Sequence, residues 1–170
     1  MSPTDSLQLR RPRWLLAVGA GVLAAVVALV AWWFLTHPPA LPVEEQRITA
    51  TTAVDQPVYL GVFGAPADFG RRLEVDGVKV RATSSAEVTL VPWLCQDGAP
   101  GVTTDPEAFC SALVDPAGAE LGAGDSIVLE VRADHPLVVV VDRVRIGYRD
   151  GLRAATQEAG APALVTVVGR

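Results

Sequence analysis

The longest apolar run in the chain is Trp14 to Leu35 (WLLAVGAGVLAAVVALVAWWFL), and it contains no charged residue. Its 22 residues, at about 1.5 Å of rise each, give a helix of ~33 Å, enough to cross a hydrocarbon core of ~30 Å with modest tilt. Ala, Val, Leu and Gly fill the centre. Trp14 stands at one end and Trp32, Trp33 and Phe34 at the other, where amphipathic rings favour the headgroup level. A core helix of a globular domain would keep a polar face, and this run has none. A cleaved signal peptide would have a shorter apolar core and a small-x-small site; here Thr36-His37-Pro38-Pro39 follows the aromatics, and no lipoprotein cysteine appears. The pattern therefore predicts an uncleaved, single-pass signal-anchor.

Beyond it the periodicity changes to that of strands. Gln46–Val54, Val58–Phe63, Glu87–Leu94, Ser126–Arg132, Leu137–Tyr148 and Ala163–Val168 are rich in Val, Ile, Leu and Thr. Leu73 and Val75 alternate with Arg72 and Glu74, and Val78 and Val80 with Lys79 and Arg81, around Asp76-Gly77. That arrangement predicts a hairpin with a type I′ turn, in which both central residues take φ > 0. Turn residues separate the other runs, at Pro116-Ala117-Gly118, Gly122–Asp125, Asp134-His135-Pro136 and Asp150-Gly151. Seven or eight short strands predict an all-β fold, an antiparallel β-sandwich of Ig-like architecture. One short helix is expected at Pro106–Leu113, with Asp105 as its cap and Pro106 in its first turn. Leu152–Glu158 reads as a further helical turn. The organisation expected is a cytoplasmic tail over 1–13, a transmembrane helix over 14–35, a linker over 36–45 stiffened by Pro38, Pro39 and Pro42, and an extracytoplasmic β-domain over 46–170.

Charge gives the anchor a direction. Arg10, Arg11 and Arg13 precede it, while Glu44 and Glu45 are the first charges after it, so the N-terminus is expected in the cytoplasm and the β-domain outside the cell membrane. All but three of the 14 basic residues and all but Asp5 of the 19 acidic ones follow Val43, leaving that part at −7. Such a balance argues against nucleic acid as a partner. Small residues recur at four-residue spacing (Ala17, Gly21, Ala25; Ala20, Ala24, Ala28), a pattern that lets helices pair closely but also arises freely in an Ala-rich helix.

Cys95 and Cys110 are the two cysteines of the chain. Outside the cytoplasm they are expected to form a disulfide. The spacing of a redox pair is missing, and His37 and His135 are the only histidines that could complete a zinc site. Asp97, Asp105 and Glu107 are a weak calcium candidate whose spacing matches no EF-hand. Ser111 and His135 have no local support as nucleophile and base. No catalytic, cofactor or metal residue is assigned, and no enzymatic activity is expected.

The run Leu137–Arg149 (LVVVVDRVRIGYR) predicts one long strand whose first half is apolar on both faces and buried on both. From Asp142 it alternates: Val144, Ile146 and Tyr148 face one way, and Arg143, Arg145 and Arg149 lie near the other. The three arginines form a basic stripe on an acidic domain. Either they pair with carboxylates across strands, or they dock an anionic envelope polymer or an acidic protein partner.

The absence of Asn, the single Lys79 against 13 arginines and the excess of Ala, Val and Gly fit a GC-rich bacterial genome. The closing segment from Val141 to Leu152, then Thr156-Gln157 and Ala159-Gly160, together with the Cys95–Cys110 loop, resembles single-pass membrane proteins of actinobacteria with an extracytoplasmic β-domain. The resemblance covers about the last half of the chain and implies no activity. The reading is a membrane-tethered binding or scaffolding module at the cell envelope. A non-catalytic subunit of a larger membrane complex is the alternative, and an envelope enzyme stands behind both.

Overall fold

The computed structural model describes residues 13–169, with the side chains of residues 13–17 and of Leu35 outside the description. The tail expected over 1–13, with its Arg10 and Arg11, therefore lies outside the described residues except for the backbone of Arg13, and the Trp14 end of the apolar run is described in backbone alone. The chain divides into two compact units, Met1–His37 and Pro38–Arg170.

The first unit is a helix, α1 (Arg13–Thr36). Its described side chains over residues 18–34 are apolar on every face, and Val22, Leu23, Leu29 and Trp32 are all exposed. Among the described residues no helix is long and apolar enough to cross a membrane. The described apolar side chains of α1 cover residues 18–34, a shorter stretch than the uncharged run in the sequence. The helix closes with Thr36 Oγ1 donating to the Trp32 carbonyl at 2.8 Å and the His37 ring stacked 4.0 Å from that of Trp33. Pro38 and Pro39, which lack the N–H a further turn needs, prevent continuation.

The second unit is mostly β: β1 (Ile48–Ala53), β2 (Val58–Gly64), β3 (Leu73–Lys79), β4 (Ala82–Ser84), β5 (Thr89–Gln96), β6 (Val102–Thr103), β7 (Ala112–Val114), β8 (Glu120–Leu121), β9 (Ser126–Arg132), β10 (Leu137–Val141), β11 (Val144–Asp150), β12 (Arg153–Ala159) and β13 (Ala163–Val168). They form three sandwich-like sheets ordered β1-β13-β10-β4, β12-β11-β3-β8 and β6-β2-β9-β5-β7. Among the described strand pairs only β1 and β13 run parallel. Alternation along the strands sends Leu60, Leu73, Leu129, Val139, Ile146 and Val165 into one core, all fully buried. Each such side chain contributes about 1.5–3 kcal/mol of hydrophobic stabilisation.

Several expectations are corrected. The run Leu137–Arg149 is not one strand. It breaks at Asp142-Arg143, so that β10 lies in the first sheet and β11 in the second. A continuous strand pointing Val141 inward would also point Arg143 and Arg145 into the core. The break lets Val144, Ile146 and Tyr148 take those places instead. The first half is not buried on both faces, since Val138 and Val140 are exposed.

Asp76-Gly77 makes no turn. Strand β3 runs through it, and the register against β11 slips so that Gly147 faces Gly77 while Tyr148 faces Val75. Asp76 is the extra residue of a β-bulge. The expected helix at Pro106–Leu113 shrinks to a 3-10 turn over Pro106–Ala108, and the Asp105 side chain makes no capping bond. Cys110 is held by Cys95, and the following residues pair with the edge of β5 as β7. Leu152 lies in a turn, and from Arg153 the segment is extended as β12, which pairs with β11 along its whole length.

The proline-rich stretch expected as a linker is bound to the β-unit from Pro38 onward. The Leu41 amide donates to Gln157 Oε1 at 2.9 Å, and Arg71 Nη1 donates to the Pro39 carbonyl at 3.1 Å. Leu41 itself is buried, and Val43 forms a parallel bridge with Gly160.

Candidate functional site

The chain passes between the first and second sheets three times at one corner. The crossings are Val80-Arg81 between β3 and β4, Asp142-Arg143 between β10 and β11, and Gly160–Pro162 between β12 and β13. Strands that switch sheets make such corners, and their linking residues are not paired as strands are. The Asp142 amide donates to the Arg81 carbonyl at 2.9 Å and ties the first two crossings together. The third is fixed by Gly160, whose N–H donates to the Pro42 carbonyl and whose own carbonyl accepts from the Glu44 N–H, both at 2.9 Å. Gly160 has φ +69, and a Cβ there would sit 1.8 Å from the Val62 carbonyl oxygen. Only glycine fits.

A cleft of about 240 Å³ opens at this corner, lined by Arg81, Asp142, Arg143, Arg145, Glu158 and Pro162. Two of the three arginines expected as a stripe meet here. Arg143, half-buried, donates from Nε and Nη2 to the Glu44 carbonyl at 3.2 and 3.0 Å. Arg145 stands on β11 between Lys79 of β3 and Glu158 of β12. Its Nε is buried and has no hydrogen-bond partner, the sole such side-chain atom among the described residues. Among the described residues, no carboxylate lies within ion-pair distance of either of these two or of Arg81.

Arg149 does not join them. It is paired with Asp76 at 2.9 Å and Glu74 at 4.0 Å, both from β3. The expected stripe therefore divides. Its far end is neutralised across strands, and its near end converges on a cleft. Arg81 was not singled out in the sequence, where it reads as an ordinary charged residue at a strand end. Only the sheet-to-sheet crossing brings it to Arg143 and Arg145.

Cys95 and Cys110 form the expected disulfide, with Cα atoms 5.2 Å apart. It packs on Val128 with Tyr59 and Leu113 beside it. A larger cleft of about 540 Å³ includes Arg71, Arg72, Asp97, Glu120 and Asp125. Asp125 is occupied there with the turn itself, accepting from the Gly122 N–H at 2.7 Å and the Asp97 N–H at 2.9 Å. Among the described residues no group of His, Cys, Asp or Glu is placed to hold a metal ion. Ser111 and His135 are not brought together. Ser111 donates to the Gln96 carbonyl at 3.0 Å, at the end of β5 where β7 pairs. His135 follows β9, whose Arg132 faces Thr89 at the opposite end of β5. That strand is about 23 Å long at ~3.3 Å per residue.

Among the described residues, three groups have shifted pKa values. Burial raises those of Tyr148 and Tyr59, with Glu130 adding to the second. The hydrogen bond from His135 lowers that of Asp134. None of the three lies in the arginine cleft. In comparisons with known proteins, no family model, no curated protein and no solved structure matches the chain.

Proposed function

We propose that the chain is a single-pass protein of the cell membrane, with Trp14–Leu35 as the span, the N-terminus cytoplasmic and the β-unit outside. There it serves as a non-enzymatic binding or scaffolding module at the cell envelope. The observation that carries the reading is α1, apolar on every face where its side chains are described and uncharged from Trp14 to Leu35. A helix of that kind is stable in lipid and costly in water. The arginine flank supplies the direction, and a disulfide suits an oxidising compartment. Antiparallel pairing around one core supports the Ig-like sandwich as the working architecture, and kinship with single-pass membrane proteins of actinobacteria belongs to the same reading. Docking of an anionic envelope component falls to the corner where Arg81, Arg143 and Arg145 meet.

Alkaline carbonate extraction and protease treatment of intact spheroplasts test the proposal. The full chain should stay in the membrane pellet, and its β-unit should be cut from outside. Release by carbonate, or protection of the β-unit, would overturn it.

A second reading, a non-catalytic subunit of a membrane complex, is favoured by the outer face of the first sheet. Thr49, Thr51, Leu164, Thr166, Val138 and Val140 occupy it, and none of its four strands contains a charged residue. Uncharged β-branched faces are unusual where water is the only neighbour. Crosslinking in native membranes separates the two readings: a stoichiometric integral-membrane partner supports the complex, and recovery without one supports the envelope binder.

A further inference from the structure

We propose that the corner cleft binds a phosphodiester group through Arg81, Arg143 and Arg145. The proposal gives a chemical identity to the anionic component in the reading above. It stands on residues of the β-unit alone and does not depend on whether Trp14–Leu35 spans a membrane.

Three properties of the cleft carry it. The first is the unpartnered donor. Arg145 Nε is the one buried side-chain polar atom among the described residues that has no hydrogen-bond partner. A charged group held in this way without a counter-charge is costly, so the cleft it lines favours an anion against the rest of the guanidinium. The second is direction. The three guanidinium groups come from three separate segments, the β3–β4 crossing, the β10–β11 crossing and β11 itself. A planar carboxylate presents its two oxygens to one side and suits a single fork. A tetrahedral oxyanion offers oxygens in several directions and suits convergent arginines.

The third is charge. Three arginines stand against Asp142 and Glu158, a formal balance of +1 over the lining residues. A phosphodiester, with one negative charge, matches that balance, whereas a dianionic monoester would meet two carboxylates. The same carboxylates accept hydrogen bonds and so suit hydroxyl groups on the esterified alcohol. At about 240 Å³ the cleft is smaller than the ~300–1,000 Å³ pockets that enclose whole ligands. It takes a group of a larger molecule, such as a polyol phosphodiester in a lipid headgroup or an envelope polymer.

The test is a titration of the full chain in dodecyl maltoside micelles, which contain no phosphate. The Arg145 Nε–H NMR signal reports occupancy, and calorimetry reports affinity. Glycerophosphoglycerol, inorganic phosphate and acetate are the soluble probes, and phosphatidylglycerol mixed into the micelles is the lipid probe. The expected result is a shifted Arg145 signal with glycerophosphoglycerol or phosphatidylglycerol, binding at least tenfold weaker in R145Q and R81Q, and unchanged binding in R149Q. Whichever of the two diesters binds more tightly identifies the source. Arg81 is exposed, so R81Q keeps the test decisive should R145Q fail to fold. Absence of diester binding, tighter binding of acetate or inorganic phosphate, or equal loss in R149Q and R81Q would each overturn the proposal. Release of the chain by carbonate would overturn the membrane reading and leave this one standing.

Discussion

Arg143 reaches across 99 positions in the chain to Glu44, placing Nε and Nη2 on a single backbone carbonyl at 3.2 and 3.0 Å. This contact joins the cleft corner to the segment that leads out of the β-unit at Pro38. With Gln157 and Arg71 it turns a proline-rich stretch into a bound strap.

Removing the Arg143 fork should loosen the strap and leave the sheets intact. Hydrogen bonds from a charged donor contribute about 1.5–3 kcal/mol when buried, and Arg143 is only half-buried, so R143Q should cost about 1 kcal/mol. Hydrogen exchange should rise at the Glu44 and Gly160 amides, which bond to the Gly160 and Pro42 carbonyls. Exchange on β9 should not change. Uniform acceleration across both regions would show that the strap is no separate element.

The disulfide closes a loop with a sequence separation of 15. In the chain-entropy model its reduction should lower stability by ~3 kcal/mol. Within the loop, Gly98 lies so close to its neighbours that a Cβ would fall 2.1 Å from the Phe109 carbonyl oxygen and 2.9 Å from Cys95 Sγ. Gly98→Ala should therefore strain the same bond and make it easier to reduce. Denaturant unfolding of the C95A/C110A variant, and dithiothreitol titration of Gly98→Ala, measure the two effects.

Much of this fold was legible because alternation exposes one face of each strand. The Ser126–Arg132 run matches β9, and Ala163–Val168 matches β13. The misreadings share a physical cause. From Val75 to Val78, and again from Val141 to Val144, successive core-facing positions are three apart instead of two. Such a step requires a turn, a bulge or a change of sheet, and local sequence does not choose among them. Asp76-Gly77 favours a turn by propensity, yet pairing with β11 makes it a bulge. In LVVVV the apolar outer residues hide the phase, so the change of sheet at Asp142 is invisible. β12 (RAATQEA) has helix-favouring residues, and its full pairing with β11 overrides them. The disulfide was legible from count and compartment. The cleft was not, because Arg81 and Arg145 are distant in sequence and meet only through the crossings.

Gly160→Ala should be severely destabilising. The residue combines φ +69 with a Cβ position 1.8 Å from the Val62 carbonyl oxygen and 2.9 Å from Phe63 Cα. Backbone atoms cannot rotate away as a side-chain tip can. Left-handed strain alone costs about 1–2 kcal/mol, and displacing β2 should bring the total above ~3 kcal/mol. Gly124→Ala is the control: its φ is +87 but a Cβ there meets nothing within 4 Å. Thermal unfolding of the two variants separates strain from collision, and equal losses would remove the special role of the corner.

The two tyrosines of the chain give a prediction at alkaline pH. Burial raises both phenols above their ordinary value of 10.0. For Tyr148 this prevails over the lowering effect of Arg71, and for Tyr59 the nearby Glu130 carboxylate adds to it. The sign follows from linkage: the unfolded chain ionises near 10, while the folded one resists to higher pH. Their contribution is therefore complete below pH 10 and is lost as pH rises through the folded values. Phenolate absorbance should titrate with a midpoint above 10 in the native protein and near 10 in denaturant. Y148F removes one ionisable group and should make the alkaline loss of stability shallower. A native midpoint at 10, or an unchanged slope in Y148F, would show that burial of these rings does not control the alkaline limit of the fold.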